Sequence, residues 1–410
     1  MYQQNLAPAL QALGLTEATL LANLKQATPR IESFLKQVKN GEFPAFGSAL
    51  KLPEATEQVL TGWSTRYKHV LVLGLGGSSL GGRLIDNFAD PAHIGNIRLH
   101  FLDHLDPIAL GQLLTGLPLE DTALIAISKS GSTLETTTQL NIFAAAFHQA
   151  AITLANRCVI VTEPTQNPLR EWATSHNVPV LPHHPALGGR YSLFAETGTL
   201  PAILKGVDVA QLHHGAQTVL NDWLANPTTS APALGAALQA ASGKPISVLY
   251  AYGEPYRILP AWYEQLWAES LGKNGHGTTP LGASGPASQH SIQQLFLDGP
   301  ADKLFTIIIP QTLGTGPSAA GEVTVGTLQL AMGQGTIAAF AARNHPVRTI
   351  TIPAYSAESL GALCMHIMLE TVLTACLLNL NPFDQPAVEE SKKTSLAALA
   401  ELKNSPQKAA

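Results

Sequence analysis

The hydrophobic positions of this chain follow one pattern before residue 60 and another after it. Residues 1–60 place apolar side chains at helical spacing and contain no strand-like run, so they predict a helical arm. From residue 69 onward, short aliphatic runs alternate with turn residues and helical stretches, which is typical of β-α-β units. The runs with strand character are 69–75, 97–102, 123–128, 158–162 and 178–181, and later 245–252, 305–310 and 347–353.

These runs fall into two groups, separated by a helical, proline-containing stretch over residues 200–243. Near-continuous apolar strands with helices between them are typical of a parallel sheet covered on both faces and joined by right-handed crossovers. The predicted fold class is therefore α/β, with two units. We expect the helical arm over 1–60, the first α/β unit over 61–205, the second over 206–380 and a helical tail over 381–410.

Composition narrows the class of protein. The 410 residues carry 24 Lys and Arg against 29 Asp and Glu, a formal net charge of −5, so no basic stripe attracts nucleic acid. Charged residues make up 13% and hydrophobic residues 45%, which predicts a large core and a buried subunit interface. The apolar stretch 361–380 contains His366 and Glu370, so we expect a buried helix rather than a membrane span. The three cysteines form no Cys-x-x-Cys pair, and no spacing of ligand residues suggests a metal site. No secretion signal is evident either. Together these features predict a cytoplasmic protein that acts on a small molecule.

Two predicted turns are rich in glycine and serine. They span residues 74–82 and 128–133 and follow the first and third apolar runs, at the carboxyl ends where an open parallel sheet binds ligands. Successive backbone N–H groups at a helix N-terminus, small hydroxyl groups and the cation of Lys129 together suit a dianion. The two turns therefore predict a binding site for a phosphate monoester.

Three other motifs compete for these residues or for similar chemistry. Residues 77–81 also fit Gly-x-Ser-x-Gly, the nucleophile elbow of serine hydrolases, with Ser79 as the nucleophile. The dinucleotide-binding fingerprint is weaker, because Ser79 stands where its third glycine is needed. A nucleoside-triphosphate loop fails at residues 272–273, since Asn274 follows the lysine and the first glycine is missing. From the residues alone, a serine hydrolase stays open as an alternative.

Glu269 is a candidate general base. It falls at helical spacing from Trp262 and Leu266, which places its carboxyl group on an apolar stripe. Gly272 predicts the end of this helix, so Glu269 lies in the last turn, where the helix dipole disfavours negative charge. Both effects suit a carboxyl group that exchanges protons near neutral pH.

Two further groups are candidates for moving protons. His290 follows a predicted N-cap at Ser288, and in the first turn of a helix the dipole favours a neutral imidazole. Lys392 lies in the apolar stripe of the tail helix, which is predicted to start with Pro386, while Lys393 is rotated by about 100°. A lysine in such a stripe either snorkels or is catalytic. The stripe consists of Val388, Leu396, Leu399 and Leu402.

Six segments of the chain, in the same order, resemble the phosphoglucose isomerase family. They are 74–81, 128–136, 188–193, 265–273, 285–300 and 381–389, and the resemblance runs through most of residues 65–395. It implies two sugar isomerase (SIS) domains, each a three-layer α/β/α sandwich with a mostly parallel sheet. It also implies a homodimer in which each active site takes a histidine from the partner subunit.

The resemblance implies a role for each matched position. Glu269 would move the proton between C2 and C1, and Arg190 would lie beside the developing enediolate. His290, contributed across the dimer interface, and Lys392 would open the sugar ring, while Gln385 would contact substrate. The substrate phosphate would be held by Ser78, Ser128, Lys129, Ser130 and Thr133.

The expected activity interconverts glucose 6-phosphate and fructose 6-phosphate through ring opening and a cis-enediol(ate), in glycolysis and gluconeogenesis, without metal or nucleotide. Ala387 and Ser391 stand where the family usually has glycine, so Lys393 stays open as an alternative to Lys392. A catalytically inactive sugar-phosphate sensor and isomerisation of mannose 6-phosphate also stay open.

Overall fold

The computed structural model of this chain describes residues 2–47, 54–89, 97–318, 321 and 323–404. Its strands are β1 (Gln3–Asn5), β2 (His69–Leu73), β3 (Arg98–Leu102), β4 (Thr122–Ile127), β5 (Cys158–Thr162), β6 (Val180–Pro182), β7 (Ile246–Tyr252), β8 (Thr279–Gly285), β9 (Lys303–Pro310) and β10 (Val347–Ile352). Its helices are α1 (Ala7–Leu13), α2 (Glu17–Lys39), α3 (Glu54–Val59), α4 (Trp63–Arg66), α5 (Leu80–Phe88), α6 (Pro107–Gly116), α7 (Leu134–Gln149), α8 (Pro168–Ser175), α9 (Glu196–Leu204), α10 (Val209–Ala225), α11 (Ala231–Ala241), α12 (Leu259–Leu271), α13 (Gln293–Asp298), α14 (Val325–Ala342), α15 (Ala357–Leu378) and α16 (Val388–Asn404).

The first sheet has the strand order β3-β2-β4-β5-β6, and all its strands are parallel. Every residue of β4 is buried, as expected for a parallel strand covered by helices on both faces. Leu200 and Leu204 of α9 pack on one face, and Leu140 and Phe143 of α7 pack on the other. Because β2 and β4 are neighbours, the two Gly/Ser-rich turns that follow them lie at the same edge of this sheet.

The second sheet has the order β1-β10-β9-β7-β8, in which β1 is antiparallel and the other strands are parallel. The expectation that residues 1–60 contain no strand was wrong. Strand β1 is a polar tripeptide that pairs with the edge of the sheet, with Gln3 opposite Thr351, so it leaves no hydrophobic alternation to detect. Strand β8, at the other edge, was also not among the predicted runs, because Pro280 and Gly282 interrupt its pattern.

Helix α15 is the central core helix, and it packs against α10, α11 and α12. All of its side chains from Ser359 to Cys376 are buried, which confirms the expected buried helix. Among the described residues, it alone has the length and hydropathy of a membrane span, and 94% of its most apolar window is buried inside the protein.

The charged residues of this core are paired. Arg348 on β10 donates to Glu370 on α15 at 2.7 Å, and the two side chains are each 3% exposed. His366 Nε2 lies 3.1 Å from the same Glu370 oxygen, Oε2, and the Tyr2 hydroxyl is 2.6 Å from His366 Nδ1. Burial works to raise the pKa of Glu370, but Arg348 and His366 together hold that pKa below its usual value. This network explains how an apolar helix accommodates two polar residues, and it ties the N-terminal strand to the core.

The C-terminal helix differs from its prediction. Helix α16 begins at Val388, two residues after the proline predicted to open it. Its predicted apolar stripe is not packed into the core, because Val388, Leu396 and Leu402 are 37%, 54% and 69% exposed. The side chains of this helix therefore face solvent along most of its length.

Candidate active site

The turn after β2 brings two distant loops into contact. Gly76–Ser78 form a 3-10 turn that leads towards α5, and Gly76 has a φ of +54°. A Cβ atom on Gly77 would lie 2.2 Å from the backbone of Gly189 and 2.5 Å from the amide nitrogen of Arg190. Glycine is therefore required at this position, and the close approach sets Arg190 against the turn.

Ser79 does not have the surroundings of a nucleophile. Its side chain is 0% exposed, and its Oγ has no hydrogen-bond partner among the described residues. A nucleophile elbow presents its serine at the surface beside a histidine that accepts the proton. The geometry therefore argues against a serine hydrolase. Ser78, the neighbouring candidate for phosphate binding, is partly exposed in the same turn.

The turn after β4 gathers the other candidate phosphate ligands. Ser128 Oγ lies 2.8 Å from Thr133 Oγ1, so the first and last residues of the turn are hydrogen-bonded. Lys129 Nζ lies 3.7 Å from Glu163 Oε1. Ser130, the next residue towards α7, is exposed. Hydroxyl groups, one ammonium group and the N-terminus of α7 thus share one edge of the sheet with the first turn.

Asn167 supports this second turn, and the sequence analysis did not identify it. A Cβ atom on Gly131 would lie 1.9 Å from Asn167 Oδ1, so the turn rests directly on this side chain. Asn167 also caps α8, because its Oδ1 accepts from the Arg170 amide at 3.0 Å. The backbone of Leu169 donates to the Gly131 carbonyl at 3.1 Å, which ties the turn to α8.

Arg190 is the centre of the candidate site. Its side chain is 3% exposed, and all five of its N–H groups have acceptors within the protein. The acceptors are Ser270 Oγ at 2.9 Å, Glu269 Oε2 at 3.1 Å, Gln385 Oε1, and the carbonyl oxygens of Pro382 and Asp384. Its positive charge is consequently held in one position, beside a carboxylate and next to the Gly76–Ser78 turn.

Glu269 lies in the last turn of α12, as its spacing predicts, and Gly272 follows as the C-cap. Trp262 and Leu266 on the same stripe are buried, whereas the Glu269 side chain is 27% exposed and opens to the site. One carboxylate oxygen accepts from Arg190 and the other accepts from Gln265 Nε2 at 3.1 Å. Gln265 was missed, although its spacing of four residues from Glu269 is the signal that could have found it.

The segment before α16 closes the cluster. Gln385 comes to Arg190 because the guanidinium group binds two carbonyl oxygens of the same segment. Lys273 forms an ion pair with Asp384 at 2.7 Å, and the ring of Phe383 stacks on Phe43 with 4.1 Å between centroids. The N-terminal arm therefore contributes to holding this segment over the site.

His290 is not part of this cluster within one chain. It ends a 3-10 turn over Ala287–His290, its side chain is exposed, and it forms no hydrogen bond or ion pair with Glu269 or Arg190 in the described chain. The predicted N-cap was wrong, because Ser288 Oγ accepts from the Ser284 amide at 3.0 Å and α13 begins only at Gln293. The helix-dipole argument for a neutral His290 therefore does not apply.

Lys392 also lies outside the cluster. Its ammonium group pairs with Glu389 on the same helix at 2.7 Å, and the lysine side chain is 62% exposed. Lys393 is exposed as well. Within the described chain, neither lysine forms a hydrogen bond with Glu269, Arg190 or Gln385.

Two α/β sheets joined through a helical core, with a charged cluster at the carboxyl edge of the first, define a protein of the SIS class. A hypothetical protein of Thermus thermophilus has a similar crystal structure, with a TM-score of 0.86 at 27% identity over 98% of this chain and 100% of that one. A glucose-6-phosphate isomerase from Chlamydia trachomatis shares the fold, with a TM-score of 0.74 at 21% identity over 86% of this chain and 73% of that one. The expected fold class is confirmed.

Sequence similarity identifies the family. The family model described as phosphoglucose isomerase matches residues 23–307. The glucose-6-phosphate isomerase of Rubrobacter xylanophilus is 33% identical over 371 residues, which cover 84% of this chain and 85% of that protein. This chain belongs to the phosphoglucose isomerase family.

Proposed function

We propose that this protein interconverts glucose 6-phosphate and fructose 6-phosphate. The observation that carries the proposal is the Arg190 cluster, in which a fixed cation lies beside the Glu269 carboxylate and against the Gly76–Ser78 turn. A carboxylate that is 27% exposed beside this fixed cation can act as a base on a bound sugar, which favours an enzyme over the inactive sensor. The similarity to proteins named glucose-6-phosphate isomerase supports the same reaction.

Binding begins with the phosphate group. Ser78 and the turn after β4 offer hydroxyl groups, backbone N–H groups and the Lys129 ammonium group, which suit a doubly charged ester. The contributing residues are Ser78, Ser128, Lys129, Ser130 and Thr133. An anchored phosphate orients C1 and C2 towards Glu269, so that the proton transfer becomes an intramolecular event within the complex.

Glu269 then acts on the open-chain sugar. Its carboxylate takes the proton from C2, the electron pair forms the C1–C2 double bond of the enediolate, and the carbonyl oxygen at C1 takes up the negative charge. Arg190 stabilises that charge, because its guanidinium group is held in place before the reaction starts. The O2 hydroxyl proton then passes to O1 and Glu269 returns its proton to C1, so that the electron pair of the double bond forms the new C1–H bond and C2 becomes the carbonyl carbon of the ketose. Gln385 contacts the substrate from the segment bound to Arg190.

Ring opening requires groups from outside this cluster. We assign it to Lys392 of the same chain and to His290 of the partner subunit in a homodimer. The exposure of His290 and its separation from Glu269 support a role in a second copy rather than in its own. Helix α14, which neighbours the His290 turn, contains no charged residue, and its Val325 and Leu328 are 51% and 49% exposed. An apolar helix face of this kind suits contact with the second copy.

The proposed reaction takes place in the cytoplasm, and it requires no cofactor. Incubation of fructose 6-phosphate with the protein in deuterium oxide tests the proposal. We expect glucose 6-phosphate that carries deuterium at C2, since the proton that Glu269 takes from C1 exchanges with solvent before it is delivered to C2. Absence of any aldose product would overturn the proposal. Mannose 6-phosphate among the products would show that the protein also forms the other epimer at C2.

A further inference from the structure

We propose that Gln289, Thr336 and Tyr252 form a hydrogen-bonded network that positions His290 for ring opening. This inference rests on the proposed function, in which His290 acts on the sugar ring. The three residues lie on different elements, namely the 3-10 turn before α13, the middle of α14 and the end of β7.

The network has a single central atom. Thr336 Oγ1 accepts from the Tyr252 hydroxyl at 2.7 Å and from Gln289 Nε2 at 2.6 Å. The second hydrogen of the same Gln289 amide group is directed at the carbonyl oxygen of Met332, at 3.1 Å. Both donors of Gln289 are thus bound to adjacent turns of α14, which leaves its side chain one position.

The residues beside the network also pack the His290 turn against Tyr252. A Cβ atom on Gly285 would lie 2.4 Å from the Tyr252 ring, so the end of β8, from which the chain enters the turn, rests directly on that ring. Tyr252 is 0% exposed, and its ring stacks on Tyr250 with 5.2 Å between centroids. The backbone N–H of Gln289 also donates to the Pro286 carbonyl oxygen at 2.9 Å.

This arrangement determines where His290 points. In a 3-10 turn, successive side chains are rotated by about 120°, so an inward Gln289 directs the next residue away from the protein. His290 is accordingly exposed at the end of the turn. It has no side-chain hydrogen bond of its own in the described chain that fixes its direction, and the anchor one residue earlier performs this task.

Buried hydroxyl groups make the network sensitive to small changes. Thr336 is 1% exposed, so replacing it with valine keeps the volume but removes the acceptor of two donors. Released from Thr336, the Gln289 side chain can rotate, and His290 moves with the turn. A displacement of about 1 Å in a catalytic group costs up to about 100-fold in rate.

The experiment compares Thr336→Val with the unaltered protein, using glucose 6-phosphate that carries either hydrogen or deuterium at C2. We expect kcat to fall about 10-fold while KM changes little, because phosphate binding is untouched. We also expect the isotope effect on kcat to fall towards 1, since slow ring opening masks the C2–H step. The inhibition constant of 6-phosphogluconate, an open-chain acid, should stay unchanged. A purely structural role would not lower the isotope effect.

Three further variants complete the test. Thr336→Ser keeps the hydroxyl group and should restore both kcat and the isotope effect, whereas Tyr252→Phe removes one of the two donors and should have a smaller effect than Thr336→Val. Thr371→Val is the matched control, because that buried helical threonine bonds only to Ile367 of its own helix, at 2.7 Å. It should retain the parental kinetics.

His290→Ala distinguishes the proposed role of His290 in ring opening from the proposed role of the network that positions it. If this variant keeps full activity, the proposed role of His290 is wrong and the network has nothing to position. If His290→Ala is impaired while Thr336→Val retains parental kcat and isotope effect, the proposed function stands and this inference is overturned.

Discussion

Two halves of the proposed site are built in different ways. Around Arg190, a buried cation binds acceptors from two separate parts of the chain, α12 and the 382–385 segment, and Glu269 is held on both carboxylate oxygens. His290 and Lys392 instead extend from the surface, one on a short turn and the other on an exposed helix. One chain therefore assembles the residues proposed for proton transfer between C2 and C1, but not those proposed for ring opening.

The difference follows from what each step demands. Charge that develops during proton transfer is stabilised best by a group that does not have to reorganise, and five hydrogen bonds give Arg190 that property. The groups proposed for ring opening lie instead at the surface, His290 on a turn anchored through Gln289 and Lys392 on an exposed terminal helix.

Glu269→Gln gives the largest expected effect, because it removes the base from the preassembled half. The new amide oxygen can still accept from Arg190, and its NH₂ group can donate to Gln265 once the Gln265 amide flips. The amide cannot take a proton, so kcat should fall by about 10² to 10⁴-fold. The affinity for inorganic phosphate should stay within about twofold of the parent, since the two turns are unchanged. Steady-state kinetics and phosphate inhibition measure both quantities.

The matched control for this variant is Glu254→Gln, which alters a glutamate that is 74% exposed and paired with Arg257. It should retain parental kcat. Parental kcat in the Glu269→Gln protein would show that the base has been misassigned.

Arg190→Lys tests the fixed cation and should have the second-largest effect. Lysine keeps the charge but has three donors in place of five, and it cannot reach Ser270, Glu269 and the 382–385 segment together. We expect kcat to fall by about 10² to 10³-fold, as for other losses of transition-state charge stabilisation. Arg257→Lys, at an arginine that is 64% exposed, serves as the control. Near-parental kcat in Arg190→Lys would mean that the bound geometry of the guanidinium group is unnecessary.

The sequence pattern was sufficient for the preassembled half in its main features. Parallel strands covered on both faces are nearly continuous in hydrophobicity, so β2 and β4, with their Gly/Ser-rich turns, could be predicted. Helical spacing placed Glu269 correctly in the last turn of α12. Both predictions depend on local patterns, which a single sequence records well.

Long-range contacts could not be predicted in this way. The acceptors of Arg190 lie up to 195 positions away in the sequence. Strand β1 is a polar tripeptide that forms a strand by pairing with β10, far away in the sequence. The cap expected at Ser288 failed because a backbone amide of the preceding strand captured its hydroxyl group. The stripe of α16 has the right helical spacing, but spacing does not reveal whether a partner surface is present.

Lys392→Met tests the other half of the comparison. Removing a proton-transfer group that shares its task with His290 should lower kcat by about 100-fold, near the lower end for general acid and base catalysis. Lys393→Met is the natural control, because the adjacent lysine is also exposed and leaves the helix in a different direction. Reversal of the two results, with loss in Lys393→Met alone, would assign ring opening to Lys393.

The smallest expected effect concerns the pH dependence of stability near the preassembled half. His183, which follows β6, is 1% exposed, and burial lowers its pKa to about 4, with a further lowering by nearby Lys129. The unfolded chain therefore binds a proton below about pH 6.5 that the folded chain does not bind until about pH 4. Stability from this group is complete above pH 6.5 and is lost as the pH falls. Between pH 7 and pH 5 the loss amounts to about 2 kcal/mol.

Removing this titration should make the protein less sensitive to acid. In His183→Asn, the decrease in the free energy of unfolding between pH 7 and pH 5 should be smaller than in the parent by about 2 kcal/mol, measured by urea denaturation. His184→Asn is the control, because the adjacent histidine is exposed and no such change is expected there. Equal pH dependence in His183→Asn and the parent would mean that the pKa of His183 is not lowered in the folded chain.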